Sequence, residues 1–157
     1  MEFINKISMK RRSRSAKVYE KNLVAVIGKH VFGNLYDIDE KILKDIKMIR
    51  DTVIEAARIG NLHIIEIMEK QFNVQNSPDL GGVSMIALIE ESHISLHTWP
   101  ESRYATVDIY SCGGGSNPGL AFDYIVSVMK PKSYKVFTAD RGTQNGQEDN
   151  RVFNQLD

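Results

Sequence analysis

Gly82-Val83-Ser84-Met85-Ile86-Ala87-Leu88-Ile89-Glu90-Glu91-Ser92-His93-Ile94-Ser95-Leu96-His97-Thr98-Trp99-Pro100 decides how this chain is read. Val83 to Ile89 is a continuous apolar run of strand length that stops at Glu90, Glu91 and Ser92. Ile94 to Trp99 is a second, short extended segment, and Pro100 ends it because proline cannot donate to a sheet ladder. Arg103 to Cys112 then alternates, with Ala105, Val107 and Ile109 on one face and Thr106, Asp108, Tyr110 and Cys112 on the other.

Working outward, Leu62 to Met68 is rich in β-branched residues and predicts a strand, and Phe72 to Leu80, with Asn73, Asn76, Ser77, Pro78 and Asp79, predicts a loop. Asp39 is an N-cap for one helix over Glu40 to Ile59, in which Ile42, Leu43, Ile46, Ile49, Val53, Ile54 and Ala57 recur at helical spacing before Gly60. Leu23 to Ile27 and Val31 to Tyr36 read as a strand interrupted near Gly28. Downstream, Gly113 to Pro118 is a capped loop, Gly119 to Met129 a second helix, and Ser133 to Ala139 a last strand. The order β-α-β-β-β-α-β predicts the α+β class: a two-layer sandwich in which two helices cover one face of an antiparallel sheet. Residues 1–22, with six Lys or Arg from Lys10 to Lys21, are expected to be a flexible basic leader, and 23–157 a single domain.

The chain has 157 residues, 42% hydrophobic and 25% charged, which suits one soluble domain. Lys+Arg and Asp+Glu are both 20, so the balance argues against nucleic acid as a partner. No apolar run reaches membrane-span length, and no secretory signal pattern opens the chain. One cysteine, Cys112, cannot form an internal disulfide, and a cytoplasmic location is expected.

Around the central stretch stand a serine, two histidines, a lone thiol and several carboxylates. His93 and His97, at i and i+4, would tempt a zinc reading with Cys112, but His30 and His63 sit on other elements and no fourth soft ligand is near. Taken singly, Ser92 is an ordinary strand-end serine, Trp99 a packing residue and Glu101 a turn carboxylate. Their joint pattern is another matter: Glu-Ser-His-x-x-x-His-Thr-Trp-Pro-Glu from Glu91 to Glu101, Gly-Val-Ser with Ser84 eight residues before Ser92, and Cys-Gly at Cys112-Gly113.

That pattern resembles the processing and catalytic segment of the prokaryotic-type pyruvoyl-dependent S-adenosylmethionine decarboxylases, over Gly28 to Asp140. The resemblance implies a proenzyme in which the Ser92 hydroxyl attacks the Glu91 carbonyl, turning the peptide bond into an ester. β-Elimination and hydrolysis then leave chains 1–91 and 92–157, the latter headed by a pyruvoyl group whose ketone forms a Schiff base with a substrate amine. Matched position by position, Ser92 becomes the pyruvoyl group, His97 is the proton acceptor in processing, Ser84 assists it, and Cys112 is the proton donor in turnover. Glu101, Trp99 and Asp108 are candidate substrate-binding residues, with Tyr110 secondary. No metal and no pyridoxal phosphate are implied. The partners implied are an amine-bearing small molecule and further copies of the chain, as a dimer or tetramer of αβ units.

The chain departs from the mainstream pattern in three places. The stretch ahead of Gly81 has no aromatic at the place where one stacks on adenine, Asn34 replaces an acidic residue, and Met85 replaces a glycine. Similar departures mark an archaeal-type branch whose paralogues decarboxylate arginine. A lost stacking partner weakens nucleoside binding by about 1–3 kcal/mol and affects arginine little. The expectation is therefore a decarboxylase of polyamine biosynthesis acting on L-arginine to give agmatine, with S-adenosylmethionine the alternative; Phe72 in the stacking role would reverse that preference. A processing-dead homologue that binds a metabolite or regulates a partner is the remote reading.

Overall fold

The structure, a computed structural model, describes residues 28–75, 79–112 and 114–142, together with the backbone of 154–156. The expected leader, and the strand expected over Leu23 to Ile27, lie outside the described residues. Seven strands are described: β1 (Gly28–Tyr36), β2 (Ile64–Asn73), β3 (Leu80–Ile89), β4 (Ser92–Trp99), β5 (Tyr104–Ser111), β6 (Ser133–Arg141) and β7 (Asn154–Leu156). They form one sheet in the order β2-β3-β4-β5-β1-β6-β7, with every neighbouring pair antiparallel. The helices are α1 (Glu40–Lys44), α2 (Ile46–Ile59) and α3 (Pro118–Met129).

Alternation in the strands decides which face the helices cover. Val83, Met85, Ala87 and Ile89 of β3, Ile94 and Leu96 of β4, and Ala105, Val107 and Ile109 of β5 are all buried. Against them α2 brings Ile49, Val53, Ala56 and Ala57, and α3 brings Ala121, Phe122, Ile125 and Met129. Burying each large apolar side chain contributes about 1.5–3 kcal/mol, so this one layer supplies most of the driving force. The opposite, open face carries His30, Ser84, His93, His97, Asp108 and Tyr110, and no described helix covers it. Met68, Ile86 and Leu88 are exposed there, at 72%, 45% and 49%.

The α+β two-layer expectation holds, with corrections in detail. The single helix expected over Glu40 to Ile59 is two, because Asp45 leaves helical geometry (φ −88°, ψ 88°) and its carboxylate caps the Met48 N–H at 2.9 Å. Strand β2 runs on through Phe72 and Asn73, which composition assigned to a loop. Its pairing with β3 continues to Asn73↔Leu80, and the Gln71 side chain donates to the carbonyls of both Lys44 and Gly81. The short strand β7 had no signal strong enough to predict it.

Two residues of the central motif turn out to hold the fold. Buried Thr98 accepts from the Val83 N–H at 2.8 Å and donates to the Leu43 carbonyl at 2.8 Å, tying β4 to β3 and to α1. Gly82 lies where an added Cβ would overlap the Thr98 carbonyl oxygen and crowd Pro100. Gly82→Ala is expected to destabilise the protein by about 1–3 kcal/mol in urea denaturation, and an unchanged midpoint would contradict this close approach.

Candidate active site

The chemistry-bearing residues are placed by the β3–β4 hairpin. Ile89 pairs with Ser92, so Glu90 and Glu91 alone make the connection. Four other non-glycine residues with positive φ, Asp37, Asn61, Arg103 and Lys130, have values from 50° to 57°, the usual left-handed conformation of turns and caps. Ser92 differs. Its φ of 155° lies in a region that side-chain-bearing residues rarely adopt, a strain worth about 1–3 kcal/mol that the surroundings must hold.

Those surroundings grip Glu91. Its carbonyl oxygen accepts from the Cys112 N–H at 3.1 Å and from the Cys112 thiol at 2.9 Å. Its carboxylate accepts from the His63 N–H at 3.0 Å and pairs with His63 Nδ1 at 2.5 Å. The Glu90 N–H donates to the His63 carbonyl at 2.9 Å. The peptide group between Glu91 and Ser92 is therefore fixed through both neighbours, with two donors aimed at the oxygen on which charge would develop if its carbon were attacked.

Beside Ser92 runs a polar chain on the open face. Ser92 Oγ lies 3.4 Å from His93 Nδ1, His93 Nε2 lies 3.1 Å from Asp108 Oδ1, and Asp108 Oδ2 lies 2.9 Å from His30 Nε2. Tyr110 packs near both imidazoles, and Arg141 sits over the Tyr110 ring, 4.2 Å from its centroid. Asp108, a candidate substrate ligand in the sequence, thus has both carboxylate oxygens engaged by histidines.

His97 and Ser84 are a pair of their own. They are directly opposite on β4 and β3, with His97 Nδ1 and Ser84 Oγ 2.8 Å apart. On β4 His97 follows Ser92 by five residues, about 16 Å at roughly 3.3 Å per residue. Trp99, 40% exposed, and Glu101, on the short 3-10 turn Pro100–Ser102, lie further along in the same direction. Trp99 packs against Tyr104, whose hydroxyl donates to the Asn34 side-chain oxygen at 2.6 Å. The site residues named from sequence therefore fall into two groups within one chain: Ser92, Glu91 and Cys112 at one end of the hairpin, and Ser84, His97, Trp99 and Glu101 toward the other, with Asp108, opposite Ser95, between them and joined to the first group through His93. His93 and His97, four apart on a strand, stand about 13 Å from one another, too far to share a metal in one chain.

Sequence reasoning missed the His63 clamp and the His30–Asp108–His93 chain. His93 adjoins Ser92 and shares strand-face parity with His97, which was the available signal. The pairing of β1 with β5, which brings His30 to Asp108, had none.

Hydrogen bonding and charge from Glu91 raise the His63 pKa above the ordinary imidazole value. For Glu91 partial burial pushes upward, and the His63 side-chain and backbone donors outweigh it and hold the carboxyl low. A raised histidine pKa stabilises fully below the unfolded value and ceases to do so as pH rises through the folded one. A lowered carboxyl stabilises above its unfolded value and is lost as pH falls through the folded one. The clamp is thus strongest between the ordinary carboxylate and imidazole ranges. In an NMR titration of the Ser92→Ala chain, His63 should titrate above an ordinary imidazole, and adding Glu91→Gln should bring its midpoint down. An unmoved midpoint would mean the pair does not form.

Residues 29–142 match the family described as S-adenosylmethionine decarboxylase. An arginine decarboxylase proenzyme of Hyperthermus butylicus is 50% identical over 121 residues, covering 77% of this chain and 82% of the relative. A second arginine decarboxylase proenzyme, from Pyrobaculum arsenaticum, is 47% identical over 133 residues, covering 85% and 98%. Among solved structures, the adenosylmethionine decarboxylase of Aquifex aeolicus superposes with a TM-score of 0.67 at 32% identity, covering 79% of this chain and 98% of that one. With the sheet, the strained serine and the gripped carbonyl in view, these likenesses agree: the chain is a decarboxylase of the S-adenosylmethionine decarboxylase family.

Proposed function

We propose that the chain is a proenzyme that cuts itself between Glu91 and Ser92, making chains 1–91 and 92–157, and then decarboxylates L-arginine to agmatine. The observation that carries the proposal is the Glu91 carbonyl, held by the Cys112 N–H and thiol beside a serine at φ 155°. Attack by Ser92 Oγ puts negative charge on that oxygen, where the two donors stabilise it. Relief of the strained backbone on leaving the planar amide favours the same step. A pyruvoyl group at position 92 supplies a carbonyl electron sink for an α-amino acid losing CO₂. Around it Cys112, exposed and one strand from Ser92, is placed to return a proton from Sγ to the carbon that lost CO₂. Glu91, freed as a chain terminus, remains beside His63.

His97 cannot serve the Ser92 of its own chain across about 16 Å of strand. A second copy, packed open face to open face about a two-fold axis, removes the difficulty. In such an isologous contact, Ser92 of one protomer meets the partner's Ser84–His97 pair and the reverse holds at once, giving two complete sites. The exposed Met68, Ile86 and Leu88 on that face favour the same packing. Trp99 and Glu101 then reach the substrate held by the other protomer, with Glu101 available to a guanidinium.

Arginine is supported by two relatives at 47–50% identity named arginine decarboxylase proenzymes. S-adenosylmethionine is the second reading. Phe72 favours it, being 49% exposed at the end of β2 nearest Gly81, where it is free to stack on a base. Release of labelled CO₂ from carboxyl-labelled arginine and not from carboxyl-labelled S-adenosylmethionine is expected; the opposite result would assign Phe72 the stacking role and overturn arginine.

The shared site has its own test. Ser92→Ala and His97→Ala chains, each uncut alone, are co-expressed. The mixed dimer then contains one site with both groups, and the His97→Ala chain is expected to be cut. If both chains stay whole, His97 does not act across the interface.

A further inference from the structure

Self-cleavage moves two protons at Ser92, one from the hydroxyl when it attacks and one from Cα when the ester is eliminated. One histidine is assigned to this chemistry so far, His97, and it lies far along the strand. We infer that His93 is the base for the first proton, resting on the self-processing reading above, and that Asp108 is the residue that positions it.

The geometry gives each nitrogen one task. His93 Nε2 faces Asp108 Oδ1 at 3.1 Å, and a carboxylate can only accept, so the ring hydrogen sits on Nε2. In the neutral ring, the form a base requires, Nδ1 is then the lone pair, and it is the nitrogen 3.4 Å from Ser92 Oγ. His30 Nε2 holds the second carboxylate oxygen at 2.9 Å, which stops Asp108 from turning away. Tyr110 flanks both rings. The arrangement has the logic of a serine–histidine–carboxylate triad, here aimed at the chain's own backbone.

The step balances within the chain. As the Ser92 Oγ–C bond to Glu91 forms, the hydroxyl proton passes to His93 Nδ1 and the carbonyl electrons go to the oxygen gripped by Cys112. When that intermediate collapses, the Glu91–Ser92 C–N bond breaks and Nδ1 returns the proton to the departing nitrogen. The product is an ester with a free Ser92 amine, and His93 is regenerated. Removal of the Cα proton, which releases the Glu91 carboxylate, is left to the partner's His97.

The two histidines therefore fail at different stages, and hydroxylamine tells them apart because it cleaves esters and leaves amides. Purified full-length His93→Ala and His93→Gln are compared with wild type and with His97→Ala, with thermal melts to confirm folding. Both His93 variants should process about 10²- to 10⁴-fold more slowly, as expected when a general base is lost. The uncut chain should resist hydroxylamine, and imidazole in the buffer should speed cutting of His93→Ala. The His97→Ala chain should instead be split by hydroxylamine between residues 91 and 92. His93→Gln keeps a donor toward Asp108, so it tests the base if His93→Ala melts early. In the Ser92→Ala background, ¹⁵N shifts should report His93 protonated on Nε2, and Asp108→Asn should disturb that tautomer. Processing of folded His93→Gln at the wild-type rate, or a hydroxylamine-labile ester in either His93 variant, would overturn the inference. An uncut wild type would instead defeat the self-processing reading beneath it.

Discussion

The site is built around one carbonyl group. The oxygen of Glu91 receives two hydrogen bonds from Cys112, and the residue that follows it is held at a backbone angle few side chains tolerate. Much of the rest of the molecule can be read as what it takes to hold that arrangement. The paired strands β4 and β5 bring Cys112 alongside the hairpin, and His63, at the entrance to β2, fixes the Glu91 side chain from the other side. The helices contribute from behind, burying the inner faces of β3, β4 and β5 so that the turn cannot relax by shifting register.

A second constraint is the length of a strand. Residues on one β-strand separate by about 3.3 Å each, so two groups five apart cannot meet at one atom. In this chain that arithmetic divides the chemistry in two and leaves each half on an open, partly apolar sheet face. The proposed two-fold pairing would use the division: each protomer would supply the electrophile of one site and the acid–base pair of the other. On that proposal assembly and processing would be linked, because an unpaired chain would lack part of the machinery.

Much of this was legible in the sequence. Alternation over Arg103 to Cys112 separated the two faces of that strand, the apolar run of Val83 to Ile89 marked a strand, and Asp39 announced the first helix. The break at Asp45 was hidden because Ile42, Leu43, Ile46 and Ile49 keep helical spacing across it, and capping by a side chain overrides the pattern. Phe72 and Asn73 read as loop because local composition speaks for turns, while the Gln71 bridge that ties this end of β2 to Lys44 and Gly81 is a tertiary contact. At the site, the spaced motif singled out Ser84, Ser92, His97 and Cys112 but could not say that they divide into two groups. Thr98 and Gly82 looked like parts of the same signature and are packing residues. The His30–Asp108–His93 chain depends on strand order, which no local pattern encodes.

The central claim is that the chain converts its own Ser92, and the mass of the denatured wild-type protein tests it most directly. The account predicts two chains, 1–91 and 92–157, whose masses sum to that of the precursor plus one water less one ammonia, the second chain having no free amino terminus. A single chain of full mass, or a second chain that begins with an intact serine amine, would contradict it.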